Sequence, residues 1–170
     1  IAAIAQAGLL LQWRQWGGAW LWPWLLPLLL GVGLALRWIH IYLRPLHQAL
    51  QLLWLLGSVG FVALAISAGP ARMADAVASQ PAWLWAIGPF FAALAGIGFK
   101  EFFCFRRLEA IGVTLLLPVA LLGALSGLLP AAASGSLMGV EAALLLVLTL
   151  RKFPMPAAAD VGDKSVFAYL

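Results

Sequence analysis

Residues 106–152 read RRLEAIGVTLLLPVALLGALSGLLPAAASGSLMGVEAALLLVLTLRK. Between Glu109 and Arg151 the only ionisable side chain is Glu141, and the oily run is interrupted mainly at Pro130. A hydrocarbon layer of roughly 30 Å is crossed by about 20 residues of helix. The stretch therefore holds two spans, roughly 110–129 and 132–150, with cations at both outer ends. The same alternation continues toward the N-terminus, giving further spans at roughly 1–12, 19–38, 45–69 and 82–100. The separators are residues 14–18, 37–44, 70–81 and 102–109, each rich in charge, proline or glycine.

The composition agrees: 65% of the residues are hydrophobic, 9% are charged, and the mean hydropathy is +1.03. A water-soluble domain of this size could not bury so much apolar surface. The expected fold is all-α, a polytopic membrane helix bundle of about six transmembrane helices over residues 1–150, followed by a tail at 151–170. The opening IAAIAQAGLLLQW reads as the late part of a span, so span one is expected to be truncated. Residues 70–81 have room for one short surface helix. We find no internal repeat and no soluble domain in the sequence.

Charge placement orients the bundle, because cytoplasmic loops are enriched in Lys and Arg. Arg37, Arg44, Lys100, Arg106, Arg107, Arg151, Lys152 and Lys164 fall on one side of the predicted membrane, and only Arg14 and Arg72 on the other. The C-terminus is thus expected on the cytoplasmic or stromal side. Seven of the nine tryptophans, Trp13, Trp16, Trp20, Trp22, Trp24, Trp83 and Trp85, fall near the opposite face. Indole rings favour that depth, so they read as an aromatic belt. The net charge of +4 could invite an anionic partner, but the cations are dispersed in turns and form no stripe along a phosphate backbone. No nucleic acid is expected. The single cysteine, Cys104, allows no intrachain disulfide and no metal-knuckle spacing, so no metal site is assigned.

Backbone punctuation adds detail. Pro23 and Pro27 sit in the opening turns of span two, where a missing amide costs little, whereas Pro89 and Pro118 are interior and should bend their helices. Gly123 with Gly127, and more weakly Ala92 with Gly96, have the small-residue spacing that lets membrane helices approach closely.

Polar residues collect in two stretches. The first is RWIHIYLRPLH, residues 37–47. Pro45 suits the first turn of a new helix, so the hairpin should turn near Leu43 and Arg44, with His40 ending one helix and His47 opening the next. Either imidazole could ligate haem iron or chlorophyll magnesium. The plainer alternative is that both hydrogen-bond at the interface while Arg37 and Arg44 pair with lipid phosphate. The second stretch is GFKEFFCFRRLE, residues 98–109. Lys100 beside Glu101, and Arg106 three residues before Glu109, could pair locally or cross to the first hairpin.

Candidate cofactor-binding residues are therefore His40, His47 and Glu101, and candidate lipid or partner contacts are Arg37, Arg44, Lys100, Arg106 and Arg107. Cys104 with a distant histidine is the only thiol–imidazole pairing on offer, and no catalytic residue is assigned. Glu141 lies mid-span, where an ionised carboxylate is costly unless partnered. Ser58, near the middle of span three, is the expected partner. The tail ending DVGDKSVFAYL could dock on the cationic face.

Three stretches, IHIYLRPLHQALQ at 39–51, GFKEFFCFRRLE at 98–109 and DVGDKSVFAYL at 160–170, resemble an uncharacterised family of integral membrane proteins of cyanobacteria and plastid-bearing organisms. The resemblance implies a setting, the thylakoid or plasma membrane of an oxygenic phototroph, without a reaction. The expectation that follows is a non-enzymatic accessory subunit or assembly factor of a photosynthetic complex, contacting its subunits and membrane lipids and binding chlorophyll, carotenoid or lipid. The alternatives are a small-solute or ion transporter using Glu141, and a membrane enzyme working at the cationic face through His40, His47, Glu101 or Cys104.

Overall fold

The computed structural model describes residues 1–16, 19 and 21–155, without the side chain of Trp16. The C-terminal DVGDKSVFAYL and its docking lie outside the described residues, as do Trp20 and Lys164. Seven α-helices make up the described chain: α1 (Ala2–Trp16), α2 (Trp22–Trp38), α3 (Arg44–Ala68), α4 (Met73–Ser79), α5 (Trp83–Phe105), α6 (Leu108–Leu125) and α7 (Ala131–Lys152). A 3₁₀ turn, Pro70–Arg72, leads into α4, the short helix for which the 70–81 loop had room.

Helix ends follow local chemistry. Proline occupies the first turn of both α2 and α3, where its missing N–H would find no partner anyway. Leu43 is extended ahead of α3, so the hairpin turns where the sequence placed it. The polar residues after Gly98 do not end α5. It runs on to Phe105 and stops only where Arg106 takes a left-handed conformation at φ 51°. Gly127, at φ 72°, sits just past the end of α6, and the Leu129 amide turns back to the Gly123 carbonyl.

Helices α3, α5, α6 and α7 are long and apolar enough to cross a membrane. The other two long helices are shorter, with 15 residues in α1 and 17 in α2. At about 1.5 Å rise per residue they reach some way short of a roughly 30 Å layer.

Each helix packs on its neighbour in the order α1, α2, α3, α5, α6, α7, and α7 returns to α1, so the six long helices close into a ring. Helix α5 contributes most to the interior, with Phe90, Ala93 and Leu94 almost fully buried. Phe61 of α3 meets Phe90 and Phe91 edge to face, at ring-centroid distances of 5.7 and 6.0 Å. The outer face of α3 keeps Leu52, Leu55, Val59, Val62 and Ile66 exposed. A solvent-exposed apolar strip of this length fits a lipid-facing surface.

Glycines do tighten this ring, at positions other than the sequence motif. A Cβ at Gly57 would run into the Phe90 backbone, and one at Gly60 into the Ala86 carbonyl, so α3 and α5 touch main chain to main chain. The Gly123–Gly127 pair makes no such surface: Gly127 lies outside the helix, and Leu129 folds over Gly123. Ala92 is exposed, while Gly96 takes the Leu50 side chain.

Candidate functional site

The site is built at the end of the ring where α2, α5 and α7 carry their cations. Lys100 and Glu101 sit on the last turns of α5 and are 4% and 2% exposed. The Lys100 ammonium donates to Glu101 Oε1 at 3.1 Å, and Lys152, at the end of α7, donates to the same oxygen at 2.6 Å. Two ammonium groups on one carboxylate oxygen offset the burial of the Lys100 and Glu101 charges, Lys152 being 30% exposed. Phe105 forms the floor, with Lys100 Nζ 5.0 Å, Lys152 Nζ 5.6 Å and the Arg107 guanidinium 6.0 Å from its ring centre. Cations above an aromatic face are attracted by its quadrupole, which helps hold like charges together here.

Glu101 Oε2 is buried and has no hydrogen-bond partner. Glu101 also lines a cleft of about 460 Å³ between α1, α2, α5 and α7. Its walls are largely apolar, including Val32, Trp38, Leu94, Ile97 and Leu148, and its polar groups are confined to Glu101, Lys152, Thr149 and the Trp38 indole. Thr149 is already committed to the Leu145 carbonyl, at 2.8 Å. An apolar slot with a few convergent polar groups at one end has the make-up of a small-molecule site. It holds one acceptor side chain and one cationic side chain, Lys152, and neither a second carboxylate nor the Cys104 thiol lines it.

The candidate residues distribute unevenly around this cleft. Glu101 lines it, and so do Trp38 and Ile39 from the 37–47 hairpin, which joins the two polar stretches at one end of the molecule. His40 and His47 do not. His40 is exposed, with its ring edge-on to Tyr42 at 4.9 Å. His47 Nε2 is 2.6 Å from the Leu36 carbonyl, which can only accept, so that nitrogen carries the proton and caps the end of α2. Gln51 lies 3.2 Å from the same nitrogen. Arg37 and Arg44 are exposed and line neither cleft described here. The Tyr42 hydroxyl is buried, and that burial, followed by the nearby Cys104, raises its pKa above the ordinary value.

Arg106 does not reach Glu109 as its spacing suggested. Glu109 instead takes Arg151, whose Nη1 lies 2.8 and 2.9 Å from the two carboxylate oxygens, and Arg107 at 3.8 Å. The left-handed turn at Arg106 breaks the helical register on which an i, i+3 pair depends.

Glu141 is fully buried, and its partner is Gln6 of α1, whose amide donates to Oε2. Ser58 donates instead to the Trp54 carbonyl of its own helix at 2.7 Å. Ring order explains the correction, since α3 packs on α2 and α5 while α7 packs on α6 and α1. Gln6 was visible as a polar residue inside the apolar opening of span one, ahead of Gln12 at its end. Lys152 and Arg151, by contrast, gave no signal of the carboxylates they meet.

A described chain of long apolar helices, with four long enough to span and an outward apolar strip, is a multi-pass integral membrane protein. It belongs to the family described as uncharacterised integral membrane protein (DUF2301), which matches residues 34–169. The match begins late in α2, so α1 and the Gln6 side of the ring precede it. No curated protein and no solved structure matches the chain.

Proposed function

We propose that this protein is a non-enzymatic membrane protein that holds an apolar ligand with a hydrogen-bond donor at one end, a lipid or a hydroxylated carotenoid, in the α1–α2–α5–α7 cleft. In this reading it serves as an accessory subunit or assembly factor of a photosynthetic membrane complex, in a thylakoid or plasma membrane, with six spans and the cationic end facing the cytoplasm or stroma. The observation that carries the ligand is Glu101, a buried residue on the wall of an otherwise oily slot, whose Oε2 has no hydrogen-bond donor. Leaving such a group unmet costs about 1–3 kcal/mol. A ligand hydroxyl or ammonium would recover that cost while its body displaces nothing polar. The photosynthetic setting comes from the sequence resemblance alone. Chlorophyll has less support than a chain-like ligand, because His47 Nε2 is already taken and His40 lies away from the cleft.

The test is gentle purification, then an absorption spectrum and mass spectrometry of an organic extract. The expected result is one apolar molecule per chain in the wild type, lost in Ala35→Trp, which fills the slot, and weakened in Glu101→Gln. An extract without a defined molecule, or one equally full in Ala35→Trp, would overturn the reading. Isolation as a monomer with no photosynthetic partner would remove the accessory role.

The carrier alternative rests on Glu141. Neither Glu141 nor Gln6 lines the cleft, so the cleft offers it no solute route.

A further inference from the structure

The turn between α5 and α6 holds a second recess, of about 410 Å³, lined by Phe105, Arg106, Arg107, Leu108, Glu109 and Arg151. It is distinct from the apolar cleft and has the opposite character. Three arginines line it against one carboxylate, and that carboxylate is taken by Arg151 and Arg107. Arg107 Nη1 is buried without a hydrogen-bond partner. The first turn of α6 opens onto the same place with no side-chain cap, so its positive end faces the recess. An oxyanion supplies the acceptors that such a set of donors lacks, and guanidinium forks match phosphate geometry.

The surroundings indicate which oxyanion. Leu108, on the recess wall, is 75% exposed, and Leu150, next to Arg151 in the chain, is 66% exposed. An apolar skirt beside a cationic recess at the end of a membrane bundle suits a molecule with a charged head and oily tails. We propose that this recess binds the phosphodiester headgroup of an anionic membrane lipid.

Arg106 gives the test its discriminating variant. A left-handed arginine is strained and glycine is not, so Arg106→Gly should remove a cation without loosening the fold. The purified protein would be exchanged into phosphatidylglycerol or phosphatidylcholine and its retained lipids counted by native mass spectrometry. The wild type should retain phosphatidylglycerol over phosphatidylcholine, and Arg106→Gly and Arg151→Gln should each weaken that preference by about tenfold, the usual effect of one charge-assisted contact. Arg72→Gln, at the far end of the ring, should leave it unchanged, and thermal unfolding should show Arg106→Gly at least as stable as the wild type.

Equal retention of the two lipids, or an unaltered preference in both recess variants, would overturn the proposal. So would complete displacement of phosphatidylglycerol by millimolar inorganic phosphate, which would make this a site for the soluble anion.

Discussion

At the scale of single residues, the site depends on how buried charges are matched. Glu101 has Lys100 as its neighbour in sequence and Lys152 at a separation of 51 residues, and the distant lysine is the closer of the two. Removing it leaves the buried carboxylate with one ammonium group. Lys152→Met should cost about 1–3 kcal/mol, less than a fully buried pair would because its side chain is 30% exposed. Lys152→Arg should restore most of the loss, and thermal unfolding in detergent distinguishes the two. Equal stability of Met and Arg at this position would show that the pair contributes nothing. Glu101 was legible in the sequence because a carboxylate beside a lysine near a span end is conspicuous. Lys152 was not, because charge spacing along the chain does not reveal which helix end folds over which. The same blindness produced the Ser58 expectation: depth in the membrane could be read from the sequence, but angular position around the ring could not.

At the scale of helices, the elements were well marked and their contacts were not. Apolar run length and proline position located all six long helices to within a few residues, because both act locally on the backbone. Packing required knowing which faces meet. GxxxG at 123–127 looked like an interface until the left-handed Gly127 ended the helix, and the working contact used Gly57 and Gly60. Gly60→Val should therefore force α3 from α5 and cost about 1–3 kcal/mol through overpacking, seen as a lowered unfolding temperature. Gly139, with open space around its missing Cβ, is the control and should accept Ala with little change. Across the ring, Gln6 and Glu141 join α1 to α7. Glu141→Gln keeps an acceptor for the Gln6 amide and should stay near wild-type stability. Glu141→Leu strands that amide and should lose about 1–2 kcal/mol, the range seen for polar contacts between membrane helices. If leucine proved as stable as glutamine, the α1–α7 junction would rest on apolar packing alone.

At the scale of the whole molecule, the ring turns a list of loops into two chemically different ends. The hairpin after α2, the turn after α5 and the end of α7 meet around Glu101, Phe105 and Glu109, as the cleft and the ion pairs record. At the other end Trp24 donates to Gln12 of α1, and Gly135 of α7 packs against Trp13. Charge asymmetry along the chain anticipated this division because alternating spans carry it whatever their packing. What the sequence could not fix is whether α1 and α2, the two short helices, cross the layer completely. Orientation is therefore the decisive measurement. In a cysteine-free background made by Cys104→Ser, single cysteines at Leu43 and Ser79, both exposed, mark the two ends. With α3 as a full span between them, an impermeant maleimide added to sealed membrane vesicles whose non-cytoplasmic face is outward should label Ser79→Cys and leave Leu43→Cys untouched, and vesicles of the opposite orientation should give the reverse. Labelling of both from one side would mean that α3 does not cross. Reversed labelling would keep the span but place the cationic end outside, and an anionic inner leaflet could then no longer supply the headgroup for the arginine recess.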